Sequence, residues 1–235
     1  MAGPVLDRLS LNGDETVLDA GCGSGRVTRL LLEKLPHGHV IAVDAAPAMV
    51  EEARAALGDR ATTLVSDLQE LKVDEPVDAA FSNAVFHWVP DHDRLFERLF
   101  TALKPGGRLV TQCGGEGNIE RFHAVAREVA LEEPYAEYLA GWQGPWNFAA
   151  PDVTRERLER AGFDEIETWL EPWPVHPPEP LEYLRTVCLG HHLLALPEEL
   201  REPYTRAVAD RCGDPVTLEY VRLNIDARRP PAPGR

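Results

Sequence analysis

Three acidic residues at the ends of apolar runs, set around a tight glycine loop, are the part of this 235-residue sequence best placed to do chemistry. In VLDAGCGSG, residues 17–25, Asp19 stands at the exit of one run, and Gly21, Gly23 and Gly25 follow at alternating positions. Asp44 closes the next run, HVIAV, 19 residues after Gly25, and Asp67 follows Ser66 after a third, TTLV. Glycine permits a left-handed turn and lets a ligand touch the main chain. An acidic side chain about 20 residues beyond such a loop is placed to accept both hydroxyls of a ribose. The start of a helix directly after the loop offers N–H groups to an anion.

The same residues discriminate between ligands. A dinucleotide fingerprint has the spacing GxGxxG, whereas this loop is GxGxG, one residue tighter. Asp19 would repel a pyrophosphate, and no Gly-Lys-Ser/Thr follows to make a P-loop. An adenosine carrying an amino-acid zwitterion suits both signs of charge, its ammonium toward Asp19 and its carboxylate toward the helix start. S-Adenosylmethionine is such a ligand. Asp67 can accept a hydrogen bond from the adenine amino group, and Met49 can cover one adenine face. Simpler readings stand beside these: a plain strand-to-helix turn for the loop, a helix cap for Asp67 and a core contact for Met49.

Positioning these groups takes alternating strands and helices. Residues 16–18 read as the end of a buried strand, and 26–35 (RVTRLLLEKL) carries amphipathic helical spacing. Strands are predicted over 39–43, 62–65 and 77–81, with Pro47 near the first turn of the helix between the first two. A charged helix, DRLFERLFTALK, precedes a turn at Pro105, Gly106 and Gly107 that leads into a fifth strand. Residues 118–131 form an amphipathic helix with Asn118 as its cap. An aromatic, Gly- and Pro-rich stretch follows, then a helix over 153–161 ended by Gly162 and a strand over 163–170. EPWPVHPPEP bridges to a helical pair around 180–212, and a turn at 213–215 leads into a last strand.

The segments VLDAGCGSG, IAVDAAPAM, VSDLQEL, VDAAFSNAVFHWV and LKPGGRLV, in that order, resemble the class I S-adenosylmethionine-dependent methyltransferases over roughly residues 14–115. The resemblance implies an α/β fold: a doubly wound, Rossmann-like seven-stranded sheet, last strand antiparallel, helices on both faces. It implies S-adenosyl-L-methionine as cofactor, with Asp19, Gly21, Cys22, Gly23, Asp44, Ala45, Met49, Ser66, Asp67, Leu68 and Asn83 around it. HWVPDH and PWNFAAPDVTRERLERAGF are similar to the branch holding trans-aconitate and juvenile hormone acid methyltransferases, which implies a small carboxylic acid as acceptor. One domain over 1–229 is expected, with a cofactor-binding core at 14–115, acceptor-side insertions at 116–150 and 172–212, and a disordered tail at 230–235.

On the acceptor side the candidates are His87, Trp88, Trp142, Trp146 and Phe148. A carboxylate acceptor needs no general base, whereas a hydroxyl or amine does, and His87 is then the catalytic candidate. His87 otherwise only shapes the pocket beside Trp88, and the later aromatics otherwise close a core. His191 and His192 have no third ligand in view, so no metal site is expected.

With 24 basic and 39 acidic residues the formal net charge is −15, which opposes nucleic-acid binding. No run approaches 18 apolar residues, so no membrane partner is expected. Cys22, Cys113, Cys188 and Cys212 lie far apart without a leader sequence, which suits a reducing cytoplasm. Fifteen residues precede Thr16, where the family resembled usually carries a further helical lid; without one the site would be wetter. Three functions stay open: methyl transfer to a small-molecule acceptor, cofactor binding without methylation, and a nicotinamide-dependent oxidoreductase, the last disfavoured by GxGxG and Asp19.

Overall fold

Period-two alternation in the central strands sorts their side chains onto two faces. In the computed structural model, which describes residues 2–232, β1 (Thr16–Ala20) sends Val17 to one face and Leu18 to the other. Short α1 (Gly3–Arg8), α2 (Arg26–Glu33), β2 (His39–Asp44), α3 (Pro47–Leu57), β3 (Ala61–Val65) and β4 (Val77–Asn83) follow in turn. Next come α4 (His92–Ala102) and β5 (Leu103–Gly114). On β4, Ala79 and Phe81 face the side covered by α1, α2 and α3, while Ala80 joins Leu95, Phe96 and Leu99 of α4. β1 through β5 pair in parallel, Val17 against Val40 and Ala79, and Asp44 against Val65. β1 and β4, buried along most of their length at the centre, read as near-continuous apolar runs, whereas edge strand β3 has no fully buried residue.

The rest of the chain carries α5 (Glu120–Ala130), α6 (Ala136–Leu139), α7 (Pro151–Ala161), β6 (Asp164–Val175), α8 (Pro180–Tyr183), α9 (Gly190–Ala195), α10 (Glu198–Arg211) and β7 (Leu218–Arg228). The sheet order is β3-β2-β1-β4-β5-β7-β6, a seven-stranded doubly wound α/β sheet. β7 runs antiparallel to β5: the Arg229 N–H donates to the Gly107 carbonyl near one end, and Leu223 crowds Gly115 near the other.

The chain divides into two compact units. The first holds residues up to 115, 147–170 and those from 223 onward; the second holds 116–146 and 171–222. The second unit takes in 116–146 and 172–212 of the stretches expected as insertions, leaves 147–150 to the first unit, and has its own core, built from Phe122, Val129, Leu184, Leu189, Tyr204 and Tyr220. In the first unit Arg8 ties α1 to the last strand, its guanidinium donating to Asp226 at 3.0 Å, to Asn224 at 3.0 Å and to the Thr111 carbonyl at 3.1 Å.

Several local expectations change. The α5 cap is Ile119 with φ +44°, because the Asn118 side chain is engaged elsewhere, its Oδ1 accepting the Val221 N–H. Pro105, Gly106 and Gly107 lie inside β5, whose pairing with β4 shifts register between Val77 and Ala79. Prolines 172 and 174 do not end β6, because β6 is an edge strand where a missing N–H costs little. The helical pair becomes three helices, with a π-type turn over Leu184–Cys188 before α9. Of the tail expected to be disordered, residues 233–235 lie outside the described residues.

Candidate cofactor site at the strand ends

Strand ends, the glycine loop and the β4–α4 connection enclose a cavity of about 570 Å³ in the first unit. Its lining includes Asp19, Gly21, Cys22, Gly23, Asp44, Ala45, Asp67, Leu68 and Asn83 of the residues expected around a cofactor. A crevice at the carboxyl ends of a doubly wound sheet is where such folds bind ligands.

The glycines have different reasons to be there. Gly21 has φ +91°, and a Cβ on it would lie 2.3 Å from a Val85 methyl, so the loop passes against Val85 only without a side chain. Gly23 has φ +52° and would meet nothing within 4 Å; its missing side chain leaves cavity space open. Gly25 caps α2 at φ +81°, with the Cα of Ala53 3.3 Å from where its Cβ would stand.

The carboxylates are held firmly. Asp44 accepts the Gly23 N–H at 2.9 Å and the Ala46 N–H at 2.9 Å, which locks loop and strand end together at the cavity wall. Asp19 is buried and accepts the Thr28 hydroxyl at 2.7 Å. Burial pushes its carboxyl up to about 6, the Thr28 hydrogen bond opposes the rise and the Asp44 charge adds to it. Burial, then the Asp19 and Asp44 charges, push the Cys22 thiol up to about 12, so it stays protonated at neutral pH. Asp67 caps a short turn by accepting the Gln69 N–H at 2.8 Å, and it also lines the cavity.

Two expected cofactor residues do not line the cavity. Met49 is half-buried in the first turn of α3, and the Ser66 hydroxyl turns back to the Asp67 carbonyl at 3.0 Å. Among the acceptor candidates only Trp88 lines it, 42% exposed. His87 is buried behind, tilted against Trp88 at 4.8 Å between centroids and stacked on Phe148 at 5.8 Å. Trp142 and Trp146 belong to the second unit, where Trp142 packs on His192 at 4.4 Å and Trp146 on His123 at 4.5 Å.

The protonation of His87 follows from geometry. The Gly114 N–H donates to its Nδ1 at 3.1 Å, so Nδ1 presents a lone pair and the ring proton sits on Nε2. Such a ring offers an N–H, not a base. Residues not singled out from sequence hold this segment. Asn147 donates its N–H to the His87 carbonyl at 2.8 Å and its amide to the Val89 and Pro90 carbonyls, while His92 donates to the Phe86 carbonyl at 2.9 Å. Ala84, at φ +63°, and Val85 complete the wall; the strain at Ala84 has no signature in an alanine codon. Among the described residues no cluster of three His, Cys, Asp or Glu could hold a metal, and no helix is long and apolar enough to cross a membrane.

Residues 17–107 match a family described as a methyltransferase domain. A trans-aconitate 2-methyltransferase of Escherichia coli is 37% identical over 165 residues, 70% of this chain and 62% of that protein. One of Methylobacterium nodulans is 36% identical over 170 residues, 72% of this chain and 60% of its own. The matched segment thus spans less than two thirds of these curated relatives. An S-adenosylmethionine-dependent methyltransferase of Mesorhizobium loti superposes with a TM-score of 0.58 at 25% identity, and a methyltransferase structure from Bacillus halodurans with 0.65 at 17%, each covering 97% of both chains. Sheet order, glycine loop and these likenesses agree: residues 17–107 match a methyltransferase domain, and the chain as a whole is similar to S-adenosylmethionine-dependent methyltransferases.

Proposed function

We propose that this chain transfers the methyl group of S-adenosylmethionine to a small-molecule acceptor, with a carboxylate oxygen as the favoured nucleophile. One observation carries the cofactor half of the reading: Asp44, Gly21 and Gly23 come together around a cavity that a Cβ at position 23 would enter. The donor and acceptor set fits, with Asp44 facing the ribose hydroxyls, Asp19 the ammonium and Asp67 the adenine amino group. When bound, the cofactor supplies a sulfonium methyl that leaves as neutral thioether is formed.

The chain's own work is alignment and exclusion of water. In-line displacement gains most of its rate from holding the nucleophile on the methyl axis. The Phe86–Trp88 turn, clamped by Asn147 and His92, supplies a fixed wall for this, and Trp88 offers an apolar face to the acceptor body. The His87 tautomer supports a carboxylate over a hydroxyl or amine acceptor, since the ring is poised to donate rather than to take a proton. Asp19, Asp44 and Asp67 among the lining residues argue for an acceptor of low negative charge. All four cysteines are free thiols, in keeping with a reducing cytoplasm.

A methyl-transfer assay across mono-, di- and tricarboxylates (trans-aconitate included), phenols and amines tests the reading. Carboxylates are expected as acceptors, with His87→Ala acting mainly on KM and no basic limb in kcat near pH 6–7. A fall in kcat of about 10²–10⁴ at unchanged KM, with a hydroxyl or amine acceptor, would overturn the carboxylate assignment.

A further inference from the structure

HWVPDH, residues 87–92, meets a distant stretch of the first unit at two points. At one, Asn147 clamps the carbonyls of His87, Val89 and Pro90. At the other, Arg157 of α7 donates from Nη1 to His92 Nδ1 at 3.3 Å, while the opposite ring nitrogen, Nε2, bonds the Phe86 carbonyl at 2.9 Å. Neither His92 nor Arg157 lines the cavity.

The chemistry of the partners fixes the ring. A guanidinium has donors only, so Nδ1 must present a lone pair and the ring proton sits on Nε2, where the Phe86 carbonyl receives it. Contacts on two sides of the imidazole thus demand one neutral tautomer. The ring is buried, with Phe96 packed on it at 5.8 Å between centroids. The charged groups around it are Arg157 from α7 and Asp91 and Asp93 at the start of α4. Burial pulls its titration below the ordinary histidine range; the Phe86 bond opposes the fall, Arg157 adds to it, and Asp91 and Asp93 oppose it. Asp93 also anchors the guanidinium, with Oδ2 3.7 Å from Arg157 Nε.

What the ring holds is the turn itself. The Phe86 carbonyl also accepts the Val89 N–H at 2.9 Å, which closes the turn Phe86–Trp88. Trp88, Val89 and Pro90 then form part of the cavity wall. Contacts therefore run without a break from Asp93 through Arg157 and His92 to the carbonyl on which that wall is built.

We propose that Arg157 is a positioning residue for the acceptor wall: its guanidinium holds the His92 ring so that Nε2–H stays on the Phe86 carbonyl and Trp88 keeps its place. The inference rests on the reading of Trp88 as the face offered to the acceptor. Its test involves neither acceptor nor methyl transfer, so a failed methyl-transfer assay would count against that reading and leave the test standing.

Long-range proton–nitrogen NMR spectra of the imidazoles, with His92 assigned by the signals lost in His92→Gln, read the ring directly. In the wild type at pH 7, His92 is expected to be neutral and protonated on Nε2. Arg157→Leu keeps bulk but offers neither donor nor charge, so His92 should titrate at higher pH than in the wild type. The Trp88 indole resonance should shift, and exchange of the Val89 N–H should quicken by about 2–10-fold, the range of one weakened hydrogen bond. Arg157→Lys, which keeps donor and charge, should stay near wild type in all three readouts; a lysine variant that behaves like the leucine one would assign Arg157 to packing and overturn the proposal. Acid makes the same break without a mutation, because a protonated Nδ1 can no longer accept from Arg157. Val89 exchange in the wild type, corrected for its intrinsic rate, should therefore quicken as His92 titrates, which decides the matter even where the leucine variant does not fold. A ring protonated on Nδ1 at pH 7, a titration unmoved in Arg157→Leu, or Val89 exchange that ignores the His92 titration would each overturn the assignment.

Discussion

The two units bury titratable groups of opposite sign, and burial favours the neutral form of each. In the first, Asp19 is pushed up to about 6 beneath a cavity where a cation can restore its charge. In the second, burial lowers His123 to about 4, with Arg127 adding to the fall, and lowers His192 to about 3, with His123 and His191 adding. Those imidazoles lie among Trp142, Trp146, Tyr204 and Phe122. A buried charge that is destabilising in the empty protein is useful where a ligand answers it; buried neutral rings serve packing. The comparison assigns ligand chemistry to the first unit and core formation to the imidazole cluster of the second.

The largest test of that division lies in the glycine loop. Gly21→Ala must place a methyl on Val85 at a left-handed φ, so a cost of about 2–6 kcal/mol to the loop is expected. Gly23→Ala meets no protein atom and bears only the left-handed φ, so it should cost about 1–2 kcal/mol, less than Gly21→Ala, while losing cofactor affinity to the methyl in the cavity. Thermal melts read beside calorimetry separate the two. If Gly23→Ala bound cofactor normally, Gly23 would not line the ligand and the cavity would be misassigned.

Asp44→Ala comes next. It removes the carboxylate proposed to accept the two ribose hydroxyls and releases the Gly23 and Ala46 N–H groups, so a loss of about 2–4 kcal/mol in cofactor binding is expected. Calorimetry reads it directly, and an unchanged affinity would remove Asp44 from the site.

The same contrast explains what sequence could and could not reveal. The first unit is built from runs whose neighbours in sequence are neighbours in space: strand, glycine loop, helix, acidic strand end. Spacing therefore carried Asp19, Asp44 and Asp67 to one cavity. Trp142, Trp146 and Phe148 lie within seven residues of one another, yet they part between the units, because the chain crosses from the second unit to the first after Trp146. No local period records such a crossing. Asn118 reads as a cap only locally; its engagement with Val221, 103 residues away, is a tertiary choice. Asn147 and the Gly114–His87 hydrogen bond were hidden for the same reason, and with them the tautomer of His87.

For the second unit, acid is the probe. Folded His123 and His192 titrate below the ordinary 6.5, so their contribution to stability is present above about pH 6.5 and is lost as pH falls toward 4 and 3. A loss of about 1–3 kcal/mol by pH 5 is expected. Hydrogen exchange over 119–139 and 184–212 should accelerate first, and His123→Leu or His192→Leu should flatten the dependence. Protection that does not change between pH 7 and 5 would mean that the rings are not buried as neutral groups.

The mildest effect concerns Asp19, and its sign is the reverse. A carboxyl raised from 3.8 to about 6 contributes stability that is full below 3.8 and lost as pH rises through 6. The first unit should therefore firm up over the same acid range in which the second loosens. Ligand binding runs the other way again, because the cofactor's ammonium favours the ionised carboxylate: below about pH 6 binding must first expel a proton, and affinity should fall by up to about tenfold per pH unit, or ~1.4 kcal/mol. Calorimetry in buffers of different ionisation enthalpy would count that proton at pH 5.5. Asp19→Asn keeps a hydrogen-bonding amide beside Thr28 but cannot ionise, so it should raise the melting temperature of the empty protein at pH 7, weaken cofactor binding and abolish its pH dependence. If the variant kept a wild-type pH dependence of binding, the ammonium would be held elsewhere, and the burial of Asp19 would be a matter of packing like that of His123 and His192.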